Sequence, residues 1–287
     1  MGKIFIRFAF FVLLFFLLIG GIFSIWAWRN AEETRVIFLD VGQGDAILIT
    51  QGGNQVLIDG GRSGKVLLAE LSRYVPFWDR TIETVIMTHP DADHIGGLPD
   101  LLRAYRVRGF ISTGASSSSE IFGLLQDRLS AGDESPERIE AREGLTITFP
   151  NGGMMRVLYP HAALPEGTES NEGSVVTRFS YGETDFLLTG DLPEEERYLR
   201  DPGVSEILKV SHHGSKHSTS EAFLDLIRPN EAVISVGKNS YGHPAPEVIS
   251  RIATSGALIR RTDLSGGIPY RCTTALNGCV FSGSTRL

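Results

Sequence analysis

Four side chains able to bind a metal ion crowd into six residues of the sequence: His89, Asp91, Asp93 and His94 in "HPDADH". Nitrogen and carboxylate ligands together suit Zn²⁺, Mn²⁺ or Fe. The stretch is a poor helix and a poor strand, yet it lies between "TVIM" and "GLPDLL", which read as a strand and a helix. Residues 89, 91 and 93 share one side of an extended turn, and His94 points elsewhere. A pair of metal ions accounts for the crowding. Three further clusters follow apolar strands: Asp191 after "FLLTG", His212 and His213 after "EILKVS", and His243 after "AVISVGKNSYG". Ligand types repeated at successive strand ends predict one shared site at the rim of a sheet, where a fixed backbone presents them. Adjacent His212 and His213 cannot easily point at one ion. One is expected to ligate, and the other to lie behind it or face the substrate. His161 and His217 are expected bystanders.

The elements that must position these residues are short. "TRVIFLDV", "DAILIT" and "NQVLIDGG" predict three strands joined by Gly-bearing turns. "KVLLAELSRYV" has helical spacing, "ETVIMTH" is a buried strand, and "GGLPDLLRAYRV" is a helix. Residues 114–145 are polar and read as a surface excursion. Strands resume with "LTITF", "MMRVLYP", "SVVTRFSYG" and "TDFLLTGD", followed by a helix at "PEEERYLRD" with Pro193 near its start. "SEILKVSHHG" and "EAVISVG" read as strands, "SEAFLDLI" as a helix capped by Ser220, "APEVISRIAT" as a helix, and the tail as a hairpin. Two sheets packed together and covered by helices account for this order.

Residues 1–30 differ from the rest. Lys3 and Arg7 precede an apolar run from Phe8 to about Trp28, and roughly twenty apolar residues cross a hydrocarbon core. The segment predicts one membrane helix with the bulk of the chain, residues 31–287, outside the cytoplasm. A cleaved signal peptide releasing that domain is the alternative. Cys272 and Cys279 flank "TTALNG", whose Asn277-Gly278 suits a hairpin turn, and they either pair across it in an oxidising compartment or stay separate thiols. Residues 1–30 hold three basic side chains and no acid, so the remainder has 24 basic against 34 acidic residues. Such a domain is a poor nonspecific binder of nucleic acid. Arg103, Arg106 and Arg108 offer one basic patch beside the expected site, and a solvated helix face explains them as readily.

"HPDADHIGG", "LLTGDL", "LKVSHHGS" and "SVGKNSYGHP" together resemble the motifs of the metallo-β-lactamase superfamily. "FLDVGQGDAILI…VLIDGG" and "RRTDLSGGI" narrow the resemblance to the branch similar to the C-terminal domain of the competence protein ComEC/Rec2. It covers about residues 34–270. It implies an α+β fold, an αββα sandwich, holding two divalent ions, zinc or manganese. His89 and Asp91 would serve the first ion, Asp93 and His94 the second, with Asp191 bridging. A later histidine completes the second site, His212 being the first choice and His213 close behind. His243 resembles the residue that meets phosphate or protonates the leaving group. Asn171, Ser174, Ser215 and His243 are the expected substrate-facing residues. The superfamily histidine expected before "TGD" is absent, and Asn171 and Ser174 lie there as in the ComEC-like branch. His161 is a weak substitute.

The resemblance implies a metal-dependent hydrolase of phosphodiesters, an extracytoplasmic DNase among them, with Asp93 orienting or deprotonating water and His243 assisting the leaving oxygen. The alternatives are a hydrolase of a small phosphoester, lipid headgroup, ester or lactam, and a non-catalytic partner module of a DNA-uptake system.

Overall fold

The computed structural model describes residue 7 and residues 10–21, 33–132 and 135–283. Strands β1 (Thr34–Phe38), β2 (Ile47–Gln51) and β3 (Asn54–Ile58) pair antiparallel, and β4 (Thr81–Met87), β5 (Arg106–Ser112) and β6 (Glu137–Glu140) continue the sheet in parallel from β3. On the other side of β1, β14 (Ile268–Thr273) and β15 (Gly278–Phe281) complete an eight-stranded sheet. A seven-stranded sheet runs β13-β12-β11-β10-β9-β8-β7. Its antiparallel part is β7 (Thr146–Thr148), β8 (Met154–Tyr159), β9 (Val176–Tyr181) and β10 (Thr184–Leu188). β11 (Ile207–Lys209), β12 (Glu231–Ile234) and β13 (Leu258–Arg261) then run parallel to β10.

Apolar runs rather than strict alternation mark these strands because both faces of each sheet are covered. Val36, Phe38, Ile47, Ile49, Val56 and Ile58 meet Phe179, Phe186, Leu188, Ile207 and Val233 between the sheets. The neighbouring residues Ile37, Leu48 and Leu57 face the opposite way. There they pack under helices α1 (Gly64–Leu71), α3 (Leu98–Ala104) and α4 (Glu120–Ser130); the short α2 (Ala92–Ile95) adds Ile95. The second sheet is covered on its outer face by α6 (Glu221–Ile227) and α7 (Pro246–Thr254) through Phe223, Leu224, Ile227, Val248 and Ile252. Short α5 (Glu195–Tyr198) and α8 (Thr262–Ser265) fill connections. Each fully buried Phe or Leu contributes about 1.5–3 kcal/mol. The layers are helix, sheet, sheet, helix, as expected.

Several expectations need correction. β6 lies within the supposed surface excursion: "ERIE" has only Ile139 to pack against the core and is a strand because it pairs with β5 at the sheet edge. The helix at "PEEERYLRD" is only α5, because Glu194 adopts a left-handed backbone (φ 46°) just after Pro193. The expected basic patch is not beside the site. Arg106 and Arg108 lie at the start of β5, in register with the start of β4, roughly 20 Å of strand from the end that carries His89. Arg103 and Arg108 also face Asp100 and Glu83 at 3.6 and 3.9 Å. Ser220 caps α6 as expected, its Oγ accepting from the Phe223 N–H at 3.1 Å. Cys272 and Cys279 stand opposite each other on β14 and β15 and form a disulfide, with Asn277 left-handed in the turn.

Residues 10–21 are helical with exposed apolar side chains. Among the described residues no helix is long and apolar enough to cross a membrane. Much of the expected membrane helix over 1–30 lies outside the described residues.

Candidate metal centre

Parallel strands put their carboxyl ends at one edge, and the cluster forms there. Asp59 follows β3, His89 follows β4, Asp191 follows β10, and the pair His212 and His213 follows β11. Asp91 precedes α2, which carries Asp93 and His94 in its single turn. A close backbone approach helps bring these ends together. A Cβ on Gly44 would lie 2.0 Å from the Asp93 carbonyl oxygen, and its φ of +124° suits glycine. Asp59, His212 and His213 all adopt left-handed backbones, with φ of 59°, 48° and 54°. Such conformations are costly for non-glycine residues and persist only where surroundings enforce them. Here Ser211 Oγ donates to the Leu192 carbonyl at 2.6 Å and Ser218 Oγ donates to the Ser211 carbonyl at 2.9 Å.

Asp191 is the hub. Its Oδ2 lies 3.2 Å from His94 Nε2, 3.3 Å from His213 Nε2 and 3.9 Å from His212 Nε2. Asp93 Oδ2 lies 3.5 Å from His213 Nε2. Asp93, His94 and His213 therefore form one close ligand group, and His89, His94 and Asp191 form another, each within 4.8 Å. Asp91 Oδ2 sits 3.8 Å from His89 Nε2 at the open side, and Ser170 Oγ donates to its other oxygen at 2.5 Å.

Hydrogen bonding fixes the proton positions. His94 Nδ1 meets Asp59 Oδ2 at 2.7 Å, and His213 Nδ1 meets the Ser235 carbonyl at 2.8 Å. A carboxylate and a carbonyl only accept, so both rings carry their proton on Nδ1. Thr88 Oγ1 donates to Asp59 Oδ2 at 2.6 Å, so it accepts from His89 Nδ1 at 2.9 Å. In their neutral form all three rings thus turn an Nε2 lone pair toward the Asp191 side, and among the described residues each of those buried nitrogens has no hydrogen-bond partner. His212 differs. Asn171 Nδ2 donates to its Nδ1 at 3.3 Å, which leaves the proton on Nε2. His213 therefore presents a ligand lone pair, and His212, expected as the first choice, presents a donor at the rim.

Sequence reasoning missed three residues. Asp45, Asp59 and Lys209 are buried in the cluster. The Lys209 ammonium pairs with Asp45, donates to the Gly190 carbonyl at 2.7 Å, and lies 3.4 Å from Asp191 Oδ1. It thereby holds one oxygen of Asp191 and leaves the other for the histidines. A lysine inside the apolar run "EILKV", and single aspartates ending "VLID" and preceding "AILI", were the available signals.

Charges in the cluster are strongly coupled. Burial alone would raise Asp191, but the neighbouring His213, His94 and Lys209 charges outweigh it and hold the carboxyl well below its usual range. Burial would likewise raise Asp93, yet the His213 hydrogen bond and the His94 charge keep it low. Burial opposes protonation of His213, but Asp191 and Asp93 push it up to about 9, so an arriving ion would displace the Nε2 proton to reach the lone pair. Burial lowers His89, and His94 lowers it further. Burial, then His212 and His213, lowers His243.

The remaining expected residues fall in different places. His243 lies at the rim, its ring centroid 5.3 Å from that of His212. Asn171 sits behind His212. Ser174 and Ser215, expected to face substrate, are buried at 0% and 4% exposure. Ser174 Oγ accepts the Asp191 N–H at 3.2 Å, and Ser215 Oγ accepts the His217 N–H at 3.4 Å, so both brace backbone. His161 cannot replace the absent superfamily histidine. Its two nitrogens meet Glu143 and the Tyr198 carbonyl, both at 2.7 Å. His217 is exposed and belongs to none of the close ligand groups.

The residues fit divalent metal on this structure's own terms. Three inward imidazole lone pairs, buried and otherwise unpartnered, face aspartates, and outer hydrogen bonds orient each ring. Asp93, His94, His213 and Asp191 would hold one ion, and His89, Asp91 and Asp191 a second.

The sequence matches the metallo-β-lactamase superfamily over residues 39–238. It is 31% identical over 265 residues to the ComE operon protein 3 of Bacillus subtilis, covering 84% of this chain and 33% of that one. It is 32% identical over 240 residues to Recombination protein 2 of Haemophilus influenzae, covering 82% and 28%. A shorter match, 30% over 169 residues, is to Ribonuclease TTHA0252 of Thermus thermophilus, covering 56% and 38%. The chain spans about a third of the length of these curated relatives. The metallo-β-lactamase fold protein YhfI of Bacillus subtilis superposes with a TM-score of 0.59 at 12% identity, over 83% of this chain and 99% of that one. The family match over most of the chain shows that the chain belongs to the metallo-β-lactamase superfamily, and within it the chain is similar to ComE operon protein 3 and Recombination protein 2.

Proposed function

We propose that the chain is a metal-dependent phosphodiesterase acting on nucleic acid, facing outside the cytoplasm. The observation that carries the reading is the convergence of three inward Nε2 lone pairs on Asp191, open on one side to Asp91, Asp93, His212 and His243. A pair of divalent ions, zinc or manganese, would supply Lewis acidity and a water ionised near neutral pH. Asp93, partly open to solvent, orients the attacking water and accepts its proton. His212 offers Nε2–H to a substrate oxygen. Neutral His243 gains a proton as the phosphodiester anion arrives and passes it to the leaving oxygen. Asn171 holds His212 in its donor tautomer. The relatives named for recombination and for ribonuclease activity support a nucleic-acid substrate. The disulfide supports an oxidising compartment, with residues 1–30 as anchor or cleaved signal and DNA-uptake machinery as partner.

The test is turnover by the manganese- or zinc-loaded protein on labelled single- and double-stranded DNA, bis-p-nitrophenyl phosphate and nitrocefin. Phosphodiester cleavage is expected, lost at least about a thousandfold in Asp93→Ala and His94→Ala. Cleavage of nitrocefin alone, or undiminished turnover in both variants, contradicts the reading. A non-catalytic module is favoured only by the thinner first pocket, which lacks the histidine expected before "TGD"; a metal-free, folded, inactive protein would support it.

A further inference from the structure

A row of rings leads outward from the centre. His212 lies beside Asp191, His243 lies 5.3 Å from His212 between ring centroids, and Tyr241 lies 5.9 Å beyond His243, tilted by 32°. Tyr241 is 64% exposed. Its loop is nonetheless built. The Asn239 side chain donates to the Gly237 and His243 carbonyls at 2.9 and 2.8 Å and accepts the Tyr241 and His243 N–H groups at 3.0 and 3.1 Å. A large exposed aromatic on a braced loop contributes little to the core and presents a π-face to solvent beside the centre. The charge balance bears on what would use that face. The domain is acidic, and the arginine patch on β5 lies at the far end of its sheet. Beyond the exposed Lys216 and Lys238, backbone electrostatics supply little affinity for a polyanion, and contacts to bases would add to it. Base–aromatic stacking does this without sequence preference, but only for bases free of a duplex.

We propose that Tyr241 is a stacking platform for an unpaired nucleobase next to the scissile phosphodiester, which makes single-stranded nucleic acid the preferred substrate class. The proposal rests on the phosphodiesterase reading above. Tyr241 touches substrate and selects it, and takes no part in bond making.

The experiment compares a short single-stranded oligodeoxynucleotide with an abasic oligomer of the same length, using manganese-loaded native protein, Tyr241→Phe and Tyr241→Ala. The native protein and Tyr241→Phe should show a KM about tenfold lower for the base-bearing strand. Tyr241→Ala should lose that difference, with kcat and the abasic KM unchanged. In the Asp93→Ala background, equilibrium binding by fluorescence anisotropy should show the same tenfold ratio and its loss on adding Tyr241→Ala. If the native protein cleaves the base-bearing strand and Tyr241→Ala does so with the same KM, the platform is refuted and the phosphodiesterase reading stands. If the native protein cleaves neither oligomer, the phosphodiesterase reading fails and the platform with it.

Discussion

The two halves of the centre are built unequally. The half formed by Asp93, His94, His213 and Asp191 is deep: both histidines are buried, and each has its outer nitrogen held, one by Asp59 and one by a backbone carbonyl. The half formed by His89 and Asp91 shares Asp191 but opens to solvent, with the Asp91 side chain 43% exposed. Among the described residues His89 is its one histidine outside the deep half, and Ser174 braces the Asp191 backbone. The difference teaches that ligand types alone do not make a site. Preorganised orientation does, because a ring already aimed loses little entropy when an ion arrives. The deep half should therefore fill first and the open half second.

Substitutions can break that ordering. The largest effect is expected from the adjacent histidines. His213→Ala should weaken the tighter metal-binding event at least about a hundredfold, and His212→Ala should change it less than about threefold while lowering turnover. Metal titration by calorimetry checks both, and equal losses would show that the tautomers are assigned wrongly. Asp91→Ala should have a smaller effect, about tenfold on the weaker event alone.

Much of this centre was legible before any coordinates. Polar ligand types ending apolar strands mark a rim, and His89, Asp93, His94, Asp191 and His213 do meet there. The choice between His212 and His213 was not legible. It depends on two consecutive left-handed residues and on whether each Nδ1 meets a donor or an acceptor, which are tertiary facts. Lys209, Asp45 and Asp59 were hidden for a related reason: a single charge beside a strand normally means surface, and only burial against opposite charge makes it part of a site. β6 was hidden because an edge strand with a single apolar residue, Ile139, takes its identity from the partner it pairs with.

The last expected effect concerns support for the deep half rather than its ligands, and is read in stability rather than in metal binding. Glu195 is fully buried, and its carboxylate accepts the Thr219 N–H at 2.8 and 3.1 Å and the Thr219 hydroxyl at 3.2 Å. Thr219 closes the loop that follows His213. Burial, partly offset by those hydrogen bonds, pushes Glu195 up to about 7 from 4.5. A carboxyl raised on folding favours the folded state most below its unfolded pKa, and that contribution is lost as pH rises from about 4.5 through about 7. The loss amounts to roughly 3 kcal/mol. Glu195→Gln should flatten the thermal stability profile across that window, and an unchanged slope would assign it to other groups.

The most direct measurement is a calorimetric titration of the metal-stripped native protein with Mn²⁺ or Zn²⁺, paired with DNA cleavage at each point. Two unequal binding events, with cleavage appearing as the second fills, are the expected result. Absence of any binding by a folded protein, or cleavage that proceeds undiminished with every metal removed, would contradict it.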